Sequence, residues 1–330
     1  MKSSIATTLL GLATSVLAAG RTSPPAGCLN VAKSGGQFST IQGAINSLST
    51  SAGGKQCIFV NPGTYNEQVL VTSRASQLTI YGYTTDTSSY GANQVIITGR
   101  KSQADGIGND ETATLRVKAN GFKLYNVVVR NTYGEGSQAV AVSAYADSGY
   151  YGCSLEGYQD TLLAQSGNQV YARTRIVGAT DFIFGQQARA WFERCDLRAV
   201  ARQTGIVTAN GRDSDSNPSY YAFNRCDIRA ADGQNVAAGS YYLGRPWRDY
   251  ARVVFQNTAM SNVINGAGWQ KWTSSQDVSK VVYREFGNTG AGASGSRASW
   301  TKKNSAAVSL GEVLGGSYAS AAWYDASYMS

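Results

Sequence analysis

Histidine is absent from all 330 residues. That single gap excludes Ser-His-Asp triads, Cys-His dyads and imidazole-ligated zinc sites. Any acid–base chemistry must come from carboxylates, Tyr, Lys or Cys. Proline is scarce, with five residues, and only 15 % of the chain is charged. That composition excludes a Pro-rich linker protein and a polybasic nucleic-acid tail. No Asn-x-Ser/Thr sequon occurs, so N-linked glycan is not expected. After the first twenty residues no apolar run is long enough to anchor the chain in a bilayer.

What is present is a sizeable apolar fraction, 42 %, with 37 Gly and 20 Tyr. A core of that size rules out wholesale disorder. Lys and Arg number 29 against 21 Asp and Glu, a net charge of +8 and a sequence pI near 9.2. Such a body favours an anionic partner without choosing among nucleic acid, lipid and acidic polysaccharide. At the start, Lys2 precedes an apolar stretch from Ile5 to Leu17 and the small residues Ala18, Ala19 and Gly20. That is the pattern of a secretory signal peptide, cleaved between Leu17 and Arg21. Export places the five cysteines in an oxidising compartment where disulfides persist.

Helical periodicity is confined to Phe38 to Leu48, where Ser39 and Gln42 have capping-box spacing. The rest is short apolar runs set between Gly, Asn and Asp, including Leu78–Tyr81, Val95–Ile97, Phe122–Val129 and Ala139–Val142. Internal repeats point to one architecture. Glu193-Arg194-Cys195-Asp196-Leu197-Arg198-Ala199 recurs as Asn224-Arg225-Cys226-Asp227-Ile228-Arg229-Ala230, and Gly157-Tyr158-Gln159-Asp160 recurs 21 residues on as Gly178-Ala179-Thr180-Asp181. The same shift carries Cys153 onto Thr174 and Thr174 onto Cys195. A period this short with so little helix predicts an all-β, single-domain, right-handed parallel β-helix with a short N-terminal capping helix. The 31-residue step from Cys195 to Cys226 implies a loop insertion with its tip at Arg212 to Asn217. Cys195 and Cys226, on neighbouring coils, are expected to form a disulfide. Cys28–Cys57 is a second expected bridge, leaving Cys153 as the free thiol.

Stacked coils bring equivalent positions to about 4.8 Å, the spacing of strands in a sheet. Asp160 and Asp181 become neighbours on one face, and a shift of 22 residues adds Gln138 to the same column. Two adjacent carboxyls do not both ionise easily, so one becomes an acid while a nearby cation keeps the other anionic. Arg245, in Leu243-Gly244-Arg245-Pro246-Trp247, is the candidate cation, since its fork orients a carboxylate. Gln138 and Gln159 supply amide N–H donors that stabilise an oxyanion without competing for protons. The set suits acyl transfer through an Asp nucleophile. Tyr158, Phe184, Trp247 and Trp269 are candidate sugar platforms, though taken singly each aromatic reads more simply as packing. Cys153 reads as structural, and Glu67 as a turn cap.

Five ordered motifs carry a family resemblance: Gly63-Thr64-Tyr65-Asn66-Glu67, Gln138-Ala139-Val140-Ala141-Val142, Gly157-Tyr158-Gln159-Asp160-Thr161-Leu162, Asp181-Phe182-Ile183-Phe184-Gly185 and Leu243-Gly244-Arg245-Pro246-Trp247. From about Val31 to the C-terminal region the chain resembles the pectin methylesterases, in a microbial secreted form without an inhibitory pro-region. The resemblance implies a signal peptide over 1–19 and a catalytic domain over 20–330, releasing methanol from C6 methyl esters of homogalacturonan. It assigns Asp181 as nucleophile, Asp160 as acid and then base, Gln159 and Gln138 as transition-state donors, and Arg245 as the residue orienting Asp181. Thr114 and Trp247 become substrate contacts. Val142, where the family often has Leu, should pack inward. No metal or cofactor is implied, and the partner is pectin, met outside the cell by a monomer, with no role for nucleic acid or membrane. Competing readings are a pectate lyase on the same fold, a less fitting acyl-CoA thioesterase, and a catalytically dead pectin-binding solenoid.

Overall fold

The computed structural model describes residues 19–330; the expected signal segment lies almost wholly outside them. Short apolar runs broken by turn residues cannot bury themselves singly, so each coil lays three of them against the coil before. The result is a right-handed parallel β-helix of three sheets with eleven, seven and eight strands. The first sheet contains Ser148–Tyr151, Asn168–Ala172 and Arg189–Glu193; the third contains Ser154–Glu156 and Arg175–Gly178. The seven-stranded second sheet carries Val142–Ala144, Leu162–Ala164, Ile183–Gly185, Gly205–Asn210 and Tyr241–Gly244. It positions the site.

The 21-residue period is visible in the register, where Tyr150 faces Tyr171 and Tyr171 faces Phe192. Because equivalent residues point the same way, these rings stack inside the coil. Centroids lie 4.7 and 4.8 Å apart, and the column continues through Phe223 and Phe255 at 4.2 and 4.3 Å. Offset stacking of this kind adds roughly 0.5–1.5 kcal/mol per pair beyond area burial. The step to Cys226 is longer because a loop over residues 211–219 joins Gly205–Asn210 to Tyr220–Asn224. Arg212, expected at the loop's tip, is buried as its clasp, donating to the carbonyls of Asp215, Asn217 and Tyr250.

Corners punctuate the runs. Phe122–Val129, read as one run, splits into Phe122–Tyr125 and Val128–Asn131 at Asn126, whose φ of 54° turns the chain. The capping helix spans Ile41–Ser47, with Thr40 rather than Ser39 as N-cap. Glu67 completes the cap from the next coil, its carboxylate accepting the N–H groups of Ile41 and Gln42. At the other end the C-terminal segment folds back over the first sheet, burying Trp323, Tyr328 and Met329 against Tyr151 and Trp191. No helix among the described residues is long and apolar enough to cross a membrane.

The expected Cys195–Cys226 disulfide is not formed. Cys28–Cys57 is the bridge, and Cys153, Cys195 and Cys226 are buried free thiols. Asp196 does face Asp227, so the two cysteines are neighbours as expected. In-register stacking at about the strand spacing does not itself prevent a bridge, since Cys28 and Cys57, one place before the Leu29–Ile58 pair, bond with Cα atoms 4.6 Å apart. A disulfide needs its Cβ atoms at about 3.8 Å with the bonds turned toward each other. Each thiol instead points along the coil axis, Cys195 to Tyr171 O at 3.1 Å and Cys226 to Phe192 O at 3.4 Å.

Candidate active site

The turns from the third sheet into the second bring Gln138, Gln159, Asp160 and Asp181 to an outer cleft. At Asp160 and Asp181 the backbone is left-handed, with φ of 64° and 48°. Asp is one of the few side chains that tolerate this region. The kink sends Thr161 and Phe182 inward and leaves both carboxyls on the cleft side. Gly185 lets the coils close below them, because a Cβ there would lie 2.0 Å from Ala164 O.

Gln159 bridges to Thr180, and Asp160 N donates to Thr180 O, so Asp160 and Asp181 occupy equivalent positions on successive coils. Gln138 does not extend that column. Ala139 N donates to Gln159 O, the same pattern one coil earlier, which places Ala139 beside Asp160 and Gln138 beside Gln159. The shift is therefore 21 residues at this point. A bulge follows, where Ala141 and Val142 both donate to Thr161 O, and only then does Val142 pair with Leu162. Val142 packs inward, as expected. The correction favours the site, since it sets the two amides side by side. Neither amide is taken up by a hydrogen bond among the described residues.

Arg245 enters from the strand Tyr241–Gly244 two coils beyond Asp181. Its Nε donates to Asp181 Oδ1 at 2.9 Å and its Nη2 to Oδ2 at 2.6 Å, a bidentate fork. Asp160 receives no such bond. Burial raises Asp160 well above the usual carboxylate range, and the Asp181 charge raises it further. Burial pushes Asp181 up as well, but the Arg245 fork and the Arg202 charge oppose that push. Of the two carboxyls, Asp160 is therefore held the further above the usual range.

The carboxyls, Gln138, Gln159 and Arg245 line a cleft of about 270 Å³. Its apolar floor is built from Ala113, Val140, Leu163, Phe184 and Ala209, with Trp247 packed against it. Phe184 and Trp247 are thus at the cleft, as expected. Trp269 is not: it is 2 % exposed, lies between Phe255 and Tyr283, and donates to Glu285. The cleft aromatic is Trp272, three residues on and 38 % exposed, with the Arg245 guanidinium 3.9 Å from its ring centroid. Trp272 is not among the sequence candidates, and its spacing from Trp269 does not by itself say which ring faces out. Thr114 is also interior, its hydroxyl donating to Arg130 O, so it is not exposed to a ligand. Tyr158 stands outside the main cleft, in a side pocket. Gln103 and Asn109, linked by a hydrogen bond of 2.8 Å, line the cleft from a loop that repeats nowhere, so no sequence signal marked them.

Fold and cleft together define a parallel β-helix whose outer cleft is lined by carboxyls, amides, a guanidinium and aromatic rings. The pectinesterase family model matches residues 29–312. A pectinesterase from Aspergillus aculeatus is 50 % identical over 99 % of both chains. The pectin methylesterase of Aspergillus niger, solved in deglycosylated form, is 43 % identical, with a TM-score of 0.87 over 94 % of this chain and all of that one. A more distant pectin methylesterase, solved with a bound hexasaccharide, is 24 % identical with a TM-score of 0.69 over 87 % of this chain and 96 % of its own; it shares the fold. The chain belongs to the pectinesterase family. It is a carboxylic ester hydrolase that removes methyl esters from pectin.

Proposed function

We propose that Asp181 is the nucleophile and Asp160 the proton carrier of this hydrolysis. The Asp181 carboxylate attacks the C6 carbonyl carbon of a methylated galacturonate unit. The oxygen that gains charge accepts N–H bonds from Gln138 and Gln159, donors already in place and therefore needing no reorganisation. Asp160 gives its proton to the departing methoxide, methanol leaves, and an acyl–Asp181 intermediate remains. Asp160, now a carboxylate, takes a proton from water as the water attacks that acyl carbon. Its collapse frees the galacturonate carboxyl and restores both aspartates. Trp247, Trp272 and Phe184 supply apolar faces for the sugar chain.

One observation carries the reading: of two buried neighbouring carboxyls, Arg245 grips Asp181 with two hydrogen bonds and leaves Asp160 none. The same chain acts outside the cell, a view supported by the signal-type N-terminus and the Cys28–Cys57 bridge. The test is methanol release from highly methylated pectin by wild type and Asp181→Asn. Stoichiometric methanol with no unsaturated ends is expected from wild type, and background turnover from the variant. Unsaturated ends would mean β-elimination, and an active D181N would remove the nucleophile.

A further inference from the structure

Trp269 is drawn into the core, yet it lies against the strand that leads into the guanidinium of the site. Tyr241–Gly244 is the last strand of the second sheet, so one of its edges has no full strand beside it. On the paired side Arg245 N donates to Thr208 O at 3.0 Å. On the free side the chain over residues 264–270 supplies only isolated bridges, Tyr241 to Ile264 and Gly244 to Trp269. There Leu243 N donates to Gly268 O at 2.7 Å, and Gln270 N to Gly244 O at 3.1 Å. The Trp269 ring backs directly onto the residue before Arg245, since a Cβ on Gly244 would lie 3.2 Å from its Cζ3. Where Trp269 is held therefore fixes the free edge of the strand that presents Arg245.

Trp269 is held by a buried carboxylate. Its Nε1 donates to Glu285 Oε1 at 3.1 Å. Arg297 takes both oxygens of that carboxylate, Nε at 2.8 Å from Oε1 and Nη2 at 3.0 Å from Oε2, and Asn288 Nδ2 adds a bond of 3.2 Å. Arg297 also donates to Gly266 O at 3.1 Å and to Gly292 O at 2.8 Å, clasping the loop before Trp269 to the segment that closes the last coil. Glu285, Asn288 and Arg297 all lie outside the cleft lining. Burying an ion pair costs desolvation, and an apolar closure of similar volume is often as stable. What a guanidinium fork and an indole N–H add is direction.

We propose that the Arg297–Glu285–Trp269 chain positions Arg245 and thereby sets how firmly its fork holds Asp181. Trp269 and Arg297 are then positioning residues, acting on the reaction without touching the substrate. The inference rests on the mechanism above, in which Asp181 attacks as a carboxylate oriented by Arg245.

The test is methanol release across pH by wild type, W269F, R297A, W323A and D181N. W269F keeps a ring in the core and loses the N–H bond to Glu285, while R297A removes the clasp from outside the cleft. The charged groups facing Asp181 are Asp160, Arg202 and Arg245, and among the described residues Arg245 alone forms an ion pair with it. A loosened fork leaves Asp181 harder to ionise. The acid limb of kcat/KM should therefore move to higher pH, by about half a unit for partial loss of an opposite charge. kcat should fall about 10- to 100-fold, the scale of a roughly 1 Å misplacement at a catalytic group, with KM within about twofold of wild type. W323A, which removes a buried ring on the first sheet, should lower the thermal midpoint and keep both kcat and the acid limb. Wild-type kcat and acid limb in folded W269F and R297A overturn the proposal, as does a loss no larger than in W323A. Should R297A not fold, W269F decides alone. D181N keeps the two readings apart: turnover there would count against the mechanism, while an inactive D181N beside a W269F of wild-type behaviour would count against this chain alone.

Discussion

Asp160 and Asp181 are the same residue type, one coil apart, in the same unusual backbone conformation, and what separates them most plainly is the Arg245 fork on Asp181. Both sit in the left-handed region, where Asn is as well tolerated as Asp. Asp→Asn changes therefore test charge without adding strain. Asp181→Asn should lose more than about 10⁴-fold in kcat, as removal of a nucleophile does elsewhere. Unchanged circular dichroism shows that the fold survives. Asp160→Asn should lose about 10²–10⁴-fold, the usual contribution of a positioned proton carrier. It should also be more stable than wild type at neutral pH. Folding raises the Asp160 pKa above the ordinary 3.8, so the native state holds a proton that the unfolded chain releases. Wild-type stability is complete below 3.8 and falls as pH rises through the raised native value. Asn, neutral throughout, escapes that loss. Thermal midpoints of both proteins should therefore converge near pH 3.5 and separate toward pH 7, and a constant difference would contradict the raised pKa. Arg245→Lys should not rescue, because an ammonium replaces two fixed N–H bonds with one mobile contact. Wild-type turnover in that variant would remove Arg245 from the site.

At the scale of the strand, in-register stacking builds the aromatic column, while thiol direction separates the cysteines that bond from those that do not. In-register parallel stacking keeps equivalent side chains adjacent, which suits rings; Cys28 and Cys57 bond from that arrangement, whereas Cys195 and Cys226 donate instead to carbonyls of the coil before. Thiol titration should therefore find three reactive cysteines in the denatured, unreduced protein and none while it is folded. A count of one would restore the Cys195–Cys226 bridge. Gly185 shows the same closeness of coils. Any Cβ there meets the Ala164 carbonyl, and the φ of 142° already disfavours an L side chain. Gly185→Ala should cost activity along with stability, since the clash lies four residues beyond Asp181.

The solenoid as a whole depends on its ends and on one covered side. Each coil touches only its neighbours, so exposed terminal coils must be closed. The Ile41–Ser47 helix and the Cys28–Cys57 bridge lie at the N-terminal end. The C-terminal segment instead lies along the first sheet, away from the cleft. There Tyr151 Oη donates to Trp323 O at 2.6 Å, and Arg173 and Arg225 donate to carbonyls of the last three residues. Trp323→Ala should cost about 3–5 kcal/mol, the range for a buried large aromatic. The thermal midpoint should drop by roughly 10 °C. Activity at low temperature should persist, because no cleft residue comes from this segment. Loss of turnover in a protein still folded at 25 °C would show the strap and cleft to be coupled.

The repeats Cys153/Thr174/Cys195 and Gly157–Asp160/Gly178–Asp181 were enough to establish a stacked coil and to bring two aspartates together, because a period in sequence becomes a fixed translation in space. Asp160, Asp181 and Gln159 were legible for that reason, and Arg245 through its flanking motif rather than through the period. Tertiary structure decided whatever depends on a local break in the period or on which side of a coil a residue faces. The bulge at Ala141–Val142 moved Gln138 by one place. Trp272 rather than Trp269 reached the cleft because strand pairing with Gly244 turned the earlier ring into the core. Cys195 and Cys226 met as neighbours without bonding, since adjacency is set by spacing but bond formation by direction. Gln103 and Asn109 belong to a connection outside the period, whose position follows from contacts made only once the coils are stacked.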